Sequence, residues 1–317
     1  MNTMATIQKI FETRMGRAVH SIAEFGNVPN NRVFRIEAGP EAYIFKLYAK
    51  RDWPEDGKLP FITQKLDEYG IPHARLFAFD RDDANFPNGY LIEECLPGVT
   101  ADRLSLSADG TVGLFEKLAA LMSRVHQIPV TNFGYTSGGT AGWSTFSRFI
   151  YDMFDDCTAN LGVAYTIHSM PLHEIREMLY MKLKDCDGYP PVICHGDLST
   201  KNMLVHAGEL VLIDWDDAQS LCWMADIARL TFWMKLNYDE PTADTCRNTF
   251  LDCYETPYDK CAFDGLEDYL HVWYGLDYLN FAVAATNYQY QKEAVEVILT
   301  KTLARITPPQ SCTQQEE

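Results

Sequence analysis

The stretch "VICHGDLSTKNMLVHAGELVLIDWDDA", residues 192–218, alternates short apolar runs with oxygen-bearing side chains. Its apolar runs predict strands, and residues 206–208 predict the turn of a hairpin between two of them. Asn202 then begins the first hairpin strand and Asp214 lies near the end of the second. Antiparallel pairing therefore brings these two residues to the same end of the hairpin. Asp197 precedes Asn202 in the incoming loop, so three polar groups converge from one short segment.

Two carboxylates and an amide oxygen that converge in this way are unfavourable unless a cation neutralises them. Magnesium prefers such hard oxygen ligands and normally keeps substrate phosphates in its coordination shell. Each residue also has a plainer explanation. Asp197 and Asn202 are common turn residues, and Asp214 is a solvated strand end. Their combined spacing around one hairpin favours the metal and phosphate interpretation.

The composition predicts a globular protein with a large core, because 47% of the 317 residues are hydrophobic. No apolar run approaches the ~18 residues that span a bilayer, so we expect no membrane partner. The N-terminus lacks the apolar core and cleavage site of a signal peptide. The nine cysteines form no C-x-x-C pair, which argues against a thiolate zinc site and fits reduced thiols in the cytoplasm.

The formal net charge is −17, which argues against nucleic acid as a partner because such proteins carry a basic face. An acidic surface attracts cationic ligands. The alternative is that the charge only keeps the protein in solution. We expect a small-molecule substrate, with the chain acting as a monomer or a homodimer.

The local patterns predict an α+β fold in two parts. Residues 32–48 read as a hairpin, residues 59–69 as a helix, and residues 75–79 and 89–93 as further strands. Beyond about residue 100 the periodicity is mostly helical. The candidate helices are 111–127, 143–159, 171–185, 223–237, 243–254, 264–285 and 288–305. We therefore predict an N-terminal lobe over 1–94, a helical lobe over 95–307 and a disordered tail over 308–317.

The residues His195-Gly196-Asp197-Leu198, Asn202 and Ile213-Asp214-Trp215 resemble the aminoglycoside phosphotransferase and choline kinase-like superfamily, small-molecule relatives of protein kinases. The lobe organisation agrees with this resemblance from about residue 20 to residue 305. It implies a two-lobed protein-kinase-like fold, with a small N-terminal antiparallel sheet lobe and a larger, mostly helical C-terminal lobe. Residues 232–236 and 273–281 are similar to the hygromycin phosphotransferase branch.

The resemblance also implies an activity, transfer of phosphate from ATP or GTP to a hydroxyl, and a role for each matched residue. Asp197 would be the catalytic aspartate that accepts or orients the proton of the substrate hydroxyl. Asn202 and Asp214 would hold Mg²⁺ across the nucleotide phosphates. His195 would be structural. Asp226 would brace the catalytic loop from a helix, with a helix N-terminal cap as the alternative.

On the nucleotide side, Lys46 lies on the predicted strand where this fold places the lysine that binds the α- and β-phosphates. Without that context a lone strand lysine is an exposed edge charge. The helix that should carry its glutamate partner has no glutamate over residues 59–66, so Glu55 is the candidate.

Two backbone segments complete the predicted nucleotide site. The loop before the first hairpin carries a single glycine in "GNVPNNRVF", so backbone amides near Asn30 and Asn31 would cradle the phosphates. The segment "LIEECLPG" aligns with the family's hinge, and the backbone of Glu94, Cys95 and Leu96 would meet the nucleobase.

The acidic residues of the second half predict a cationic substrate, bound by Asp216, Asp217 and Asp277. An aminoglycoside or related amino-sugar would fit this description. Choline, ethanolamine or another metabolite is the alternative of the same reaction type. A third alternative, a nucleotide-binding pseudokinase or a protein kinase, is disfavoured by the intact polar set and by the lack of D-F-G and A-P-E segments.

Overall fold

The computed structural model describes residues 3–26, 31–136, 142–255, 259–284 and 289–307. Its chain divides into two compact units. The first comprises residues 1–105, 135–141 and 200–218, and the second comprises 106–134, 142–199 and 219–317. The first unit thus extends past residue 94 and takes in the hairpin of residues 202–214. The predicted tail over 308–317 lies outside the described residues.

In chain order the helices are α1 (Thr3–Met15), α2 (Lys58–Glu68), α3 (Ala108–Val125), α4 (Phe146–Cys157), α5 (Leu172–Leu183), α6 (Trp223–Asn237), α7 (Glu240–Cys253), α8 (Lys260–Ala284) and α9 (Gln289–Ile306). The strands are β1 (Ser21–Glu24), β2 (Arg32–Ala38), β3 (Glu41–Leu47), β4 (Leu76–Asp80), β5 (Tyr90–Glu94), β6 (Val99–Thr100), β7 (Gly134–Tyr135), β8 (Thr166–Ile167), β9 (Met170–Pro171), β10 (Val192–Cys194), β11 (Met203–His206), β12 (Glu209–Leu212) and β13 (Gln219–Leu221).

The first unit is built on an antiparallel sheet in the order β1-β2-β3-β5-β4. Because side chains alternate along β3, Tyr43 and Phe45 point into a core that also contains Ile7 and Phe11 of α1. The ring of Phe11 meets the ring of Tyr43 edge-on at 5.0 Å between centroids. Helix α1 is an element that the sequence pattern did not predict, and it covers one face of the sheet's core.

A second, smaller sheet of the same unit contains the hairpin that the sequence predicted. Strand β11 pairs antiparallel with β12 and also with β6. The hairpin register aligns Met203 with Leu212 and His206 with Glu209. Ala207 and Gly208 turn the chain with positive φ values, as a tight turn requires.

The second unit is mostly helical and contains α3 to α9. Each predicted helix beyond residue 100 is present, with ends that differ by a few residues. Two short strand pairs also occur here, β8 with β9 and β10 with β13, and the sequence pattern did not predict these pairings. In the described part of the chain, no helix is both long enough and apolar enough to cross a membrane. The α+β fold class is confirmed.

Candidate functional site

Lys46 is buried at the centre of the first unit's sheet. Strand β3 pairs on both sides, so Lys46 lies opposite Val33 of β2 and Leu91 of β5. Its side chain is therefore shielded, with the residue only 5% exposed. The alternative of an exposed edge charge is wrong, because β3 is an interior strand.

Two carboxylates hold the Lys46 ammonium. Its Nζ lies 2.7 Å from Asp214 Oδ1 and 3.0 Å from Asp216 Oδ2. Burial acts to lower the pKa of Lys46, but the negative charges of Asp214 and Asp216 raise it well above its ordinary value. Lys46 is thus a charged group held in a buried position.

Asn202 and Asp214 flank the two hairpin strands at the same end, as the register predicts. The Ile213 N–H donates to Asn202 O at 3.0 Å and closes this end of the hairpin. Asn202 is buried, whereas the Asp214 side chain is 46% exposed. Asp214 adopts a left-handed backbone conformation with φ of 64°. Residues other than glycine rarely adopt this conformation, and those that do cluster at functional sites.

Asp216 does not have the exposed position expected for a substrate-binding residue. It lies in a one-turn 3-10 helix, Trp215–Asp217, and is buried. One of its carboxylate oxygens accepts a hydrogen bond from Lys46 Nζ. The Tyr48 hydroxyl donates to the other oxygen at 3.2 Å. Burial raises the pKa of Asp216 and the Lys46 charge opposes this shift. The prediction that Asp216 binds a cationic substrate is corrected, because its charge is already used inside the unit.

Glu55 also differs from its expected role. Its Oε2 lies 2.5 Å from Lys58 Nζ, and its carboxylate is not among the partners of Lys46. Lys58 begins α2 and is completely buried, with its ammonium 3.7 Å from the centroid of the Trp53 ring. Burial lowers the pKa of Lys58, and the Glu55 charge acts in the opposite direction. The Glu55 partnership with Lys46 is therefore corrected to a partnership with Lys58.

The predicted hinge forms backbone hydrogen bonds within the first unit. The N–H of Glu94 donates to Arg75 O at 2.9 Å and the N–H of Cys95 donates to Ala42 O at 3.1 Å. These two amides bond within the sheet, and the backbone role of Glu94, Cys95 and Leu96 toward a nucleobase stays a prediction.

The expected loop residues have separate outcomes. Asn31 Oδ1 accepts a hydrogen bond from the Ala49 N–H at 3.1 Å, so this side chain links the start of β2 to the residues after β3. Asn30, the other residue predicted to contact phosphate, lies outside the described residues. The backbone role of Asn31 toward phosphate stays a prediction.

A small cleft opens beside Lys46 in the first unit. Thr63 of α2, Glu93 of β5 and Asp214 contribute to its lining. Burial raises the pKa of Glu93 to about 7, although the Lys46 charge acts to lower it. The sequence analysis did not select Glu93. Alternation along β5 could have identified it, since Leu91 pairs with Lys46 and Glu93 lies two residues further on the same face.

In the second unit, Asp226 organises the loop that carries Asp197. One carboxylate oxygen of this buried residue accepts the His195 N–H at 2.7 Å, and the other accepts the Gly196 N–H at 3.0 Å. Gly196 has a φ of 80°, a conformation that favours glycine at this point of the loop. The Nε2 of His126 lies 3.3 Å from Asp226 Oδ2. Asp226 therefore braces the loop from α6, and the alternative of a helix cap is wrong.

These contacts also change the pKa of Asp226. Burial acts to raise it, but the hydrogen bonds and nearby histidines lower it below the ordinary value. Asp226 is thus held as a carboxylate beneath the loop. His195 is itself fully buried, and its Nδ1 accepts the Asp197 N–H at 3.3 Å. This position fits the structural role expected for His195.

Asp197 has a cationic neighbour that the sequence analysis did not select. The guanidinium of Arg229 lies 3.7 Å from Asp197 Oδ1 and 3.2 Å from Asp277 Oδ2. It also lies over the rings of Tyr274 and Tyr278, at 5.3 and 5.5 Å from their centroids. Asp277, expected to bind substrate, is 46% exposed and shares its charge with Arg229. Arg229 follows Asp226 by one helical turn, a spacing that could have identified it.

The remaining acidic candidate is Asp217. It is half-buried and ends the same 3-10 turn that contains Asp216. Its proposed contact with substrate stays a prediction.

The family model described as the phosphotransferase enzyme family matches residues 22–263, more than half of the chain. No curated protein matches the chain. Solved structures resemble it in fold. A thermostable mutant of aminoglycoside phosphotransferase APH(4)-Ia in its apo form is 17% identical, and the match covers 93% of this chain and 98% of that one with a TM-score of 0.71.

Two further structures illustrate the range of proteins with this fold. A ternary complex of a thermostable APH(4)-Ia mutant with ADP and hygromycin B is 16% identical over 94% of this chain and 98% of that one, with a TM-score of 0.69. The choline kinase LicA from Streptococcus pneumoniae is 15% identical over 96% of this chain and 100% of that one, with a TM-score of 0.66.

Proposed function

The chain belongs to the phosphotransferase enzyme family, and from this premise we propose that it transfers the γ-phosphate of ATP or GTP to a hydroxyl of a small molecule. The observation that carries the proposal is the buried, charged Lys46, held 2.7 Å from the half-exposed Asp214. A fixed ammonium beside an accessible carboxylate is suited to binding nucleotide phosphates together with their metal ion. The ADP bound in the APH(4)-Ia complex supports a nucleotide as donor.

The side chains at the end of the hairpin fit a magnesium ion. Asn202 offers an amide oxygen, and the exposed carboxylate of Asp214 offers hard, charged oxygen ligands. A magnesium ion bound there would neutralise phosphate charge. We therefore assign Asn202 and Asp214 to the metal and Lys46 to the phosphates.

Asp197 is assigned to the acceptor hydroxyl. As the hydroxyl oxygen bonds to the γ-phosphorus, the bond from that phosphorus to the bridging oxygen breaks and ADP or GDP leaves. The hydroxyl proton passes to the Asp197 carboxylate. Asp226 holds the backbone of this loop through the His195 and Gly196 amides. The Asp197 carboxylate is therefore already in position before the reaction begins.

An aminoglycoside or related amino-sugar is the acceptor we propose. The net charge of −17 and the half-exposed Asp277 support a cationic acceptor, and the hygromycin B bound by APH(4)-Ia supports an amino-sugar. Phosphorylation of such a compound would be a resistance activity. The likeness to the choline kinase LicA supports choline or ethanolamine as the second candidate.

The test is nucleotide consumption by the purified chain in the presence of Mg²⁺ and a panel of aminoglycosides, amino alcohols and neutral sugars. We expect an amino-sugar to stimulate release of ADP or GDP well above the acceptor-free rate. Stimulation by choline or ethanolamine alone would favour the second candidate. If the best acceptor is neutral or anionic, the cationic-acceptor proposal is refuted, and if no compound stimulates the release with either nucleotide, the kinase proposal itself fails.

A further inference from the structure

The two carboxylate partners of Lys46 differ in their surroundings. The Asp214 side chain is 46% exposed, whereas the Asp216 side chain is only 10% exposed. The proposed function assigns Asp214 to the metal and gives no task to Asp216. A buried carboxylate without a task is unusual, because removing it from water is unfavourable unless its partners compensate.

Asp216 is fixed by three contacts within the first unit. Lys46 Nζ lies 3.0 Å from one carboxylate oxygen, and the Tyr48 hydroxyl donates to the other at 3.2 Å. Its backbone carbonyl accepts a hydrogen bond from Lys58 Nζ at 3.1 Å. Both the carboxylate and the main chain of Asp216 are therefore held in place without help from Asp214.

The third contact is itself anchored. Lys58 is ion-paired with Glu55 at 2.5 Å and its ammonium lies over the Trp53 ring at 3.7 Å. The carboxylate of Glu55, which the sequence assigned to Lys46, thus acts one step away by holding Lys58 against the carbonyl of Asp216.

We propose that Asp216 is the positioning residue for Lys46 and takes the place of a helix-borne glutamate in this chain. The inference rests on the proposed function. A lysine ammonium has three protons. One reaches Asp216 and one reaches Asp214, which leaves the third for a phosphate oxygen. When Asp214 serves the metal, Asp216 holds the ammonium in place and directed toward the phosphates.

Asp216→Asn should therefore weaken nucleotide binding in a magnesium-dependent way. The variant keeps the size of the side chain but leaves Asp214 as the carboxylate that holds the buried ammonium. Lys46 then competes with the metal for Asp214. We expect the dissociation constant for Mg-AMP-PNP to rise about tenfold or more, and the Mg²⁺ concentration at half-saturation to rise with it.

The experiment measures Mg-AMP-PNP binding by calorimetry across a Mg²⁺ series for the full chain and its variants. The matched control is Asp82→Asn, which removes the same charge from an 87% exposed side chain paired with Arg51, and it should bind like the wild type. Tyr48→Phe is the second variant. It removes one contact to Asp216 and should give a smaller weakening in the same direction, which keeps the inference testable if Asp216→Asn does not fold.

A double-mutant cycle with Lys46→Met separates positioning from a merely structural role. In the Lys46→Met background, Asp216→Asn should cause no further loss of affinity and should raise the Tm, because it removes a buried carboxylate that has lost its cationic partner. An equal loss of affinity in both backgrounds would overturn the inference. So would wild-type affinity and magnesium dependence in Asp216→Asn. Failure of the wild type to bind any nucleotide would instead overturn the proposed function and this inference with it.

Discussion

Replacement of Asp226 by asparagine tests how the second unit orders the loop that carries Asp197. The two carboxylate oxygens accept the backbone N–H groups of His195 and Gly196 at 2.7 and 3.0 Å, and the site is fully buried. Asparagine has the same shape but replaces one acceptor oxygen by an NH₂ donor. One of the two backbone amides would then face a donor in place of an acceptor.

The size of the effect follows from these two contacts. A hydrogen bond to a charged group contributes about 1.5–3 kcal/mol, and an unsatisfied buried donor costs about 1–3 kcal/mol. We therefore expect Asp226→Asn to lower the free energy of unfolding by about 3–5 kcal/mol. This loss is large beside the total stability of about 5–15 kcal/mol typical of folded proteins.

The assay is urea unfolding of the wild type and the variant, followed by far-UV circular dichroism. Asp239→Asn is the control, because Asp239 caps α7 by accepting the Thr242 N–H at 2.9 Å from an exposed position. Asparagine is an equally good cap, so this control should stay within about 0.5 kcal/mol of the wild type. Turnover should fall in the Asp226 variant alone, since the loop that it braces carries Asp197.

The pH dependence gives an independent check with a definite sign. The folded-state pKa of Asp226 lies below its ordinary value, so the charged form stabilises the fold above the unfolded pKa. The difference in unfolding free energy between the wild type and Asp226→Asn should therefore be largest near neutral pH, and it should shrink as the pH falls through the folded-state pKa of Asp226. An unfolding free energy equal to that of the wild type at neutral pH would refute the bracing role.

Three further perturbations test other parts of the account. Asp214→Ala should weaken Mg-nucleotide binding and turnover together, with partial recovery at high Mg²⁺; an unchanged magnesium dependence of binding would contradict the metal assignment. Glu93→Gln should stabilise the protein at pH 8 more than at pH 5, by at most about 3 kcal/mol. The pKa of Glu93 is about 7 in the folded protein and lower in the unfolded chain, so the wild type becomes less stable as the pH rises between these two values. Equal unfolding free energies for Glu93→Gln and the wild type at both pH values would show that this carboxyl is not desolvated. The KM for a cationic acceptor should rise with ionic strength, since exposed charges are screened over ~8 Å at physiological salt, and Asp277→Asn should reduce that rise without changing the KM for ATP. A salt dependence that is identical in both proteins would remove Asp277 from acceptor binding.

Features set by local pattern were predictable from the sequence. The hairpin register follows from the turn at residues 206–208, so the common end shared by Asn202 and Asp214 could be stated in advance. The alternation along β3 likewise predicts that Lys46 lies on the face opposite Tyr43 and Phe45. Helix α1 was missed because only Ile7 and Phe11 are buried in it, a pattern too sparse to distinguish a helix from a loop.

Pairings between distant segments were not predictable in the same way. Lys46 and Asp216 are 170 residues apart in the chain, and their contact depends on how a 3-10 turn follows the left-handed Asp214. Because that turn directs Asp216 inward, a residue read from the sequence as an exposed charge becomes a buried partner. The contact of Arg229 with Asp197 depends in the same way on the packing of α6 beneath the loop.

The central claim is that Asp197 serves the acceptor hydroxyl in a phosphate transfer from a nucleotide. The most direct measurement incubates the wild type and Asp197→Ala with γ-labelled nucleotide, Mg²⁺ and the best acceptor, and follows label in the purified acceptor. We expect labelled product with the wild type, a loss of about 10²-fold or more in Asp197→Ala, and nearly unchanged Mg-nucleotide affinity in the variant. Labelled product from Asp197→Ala at more than roughly a tenth of the wild-type rate would contradict the claim.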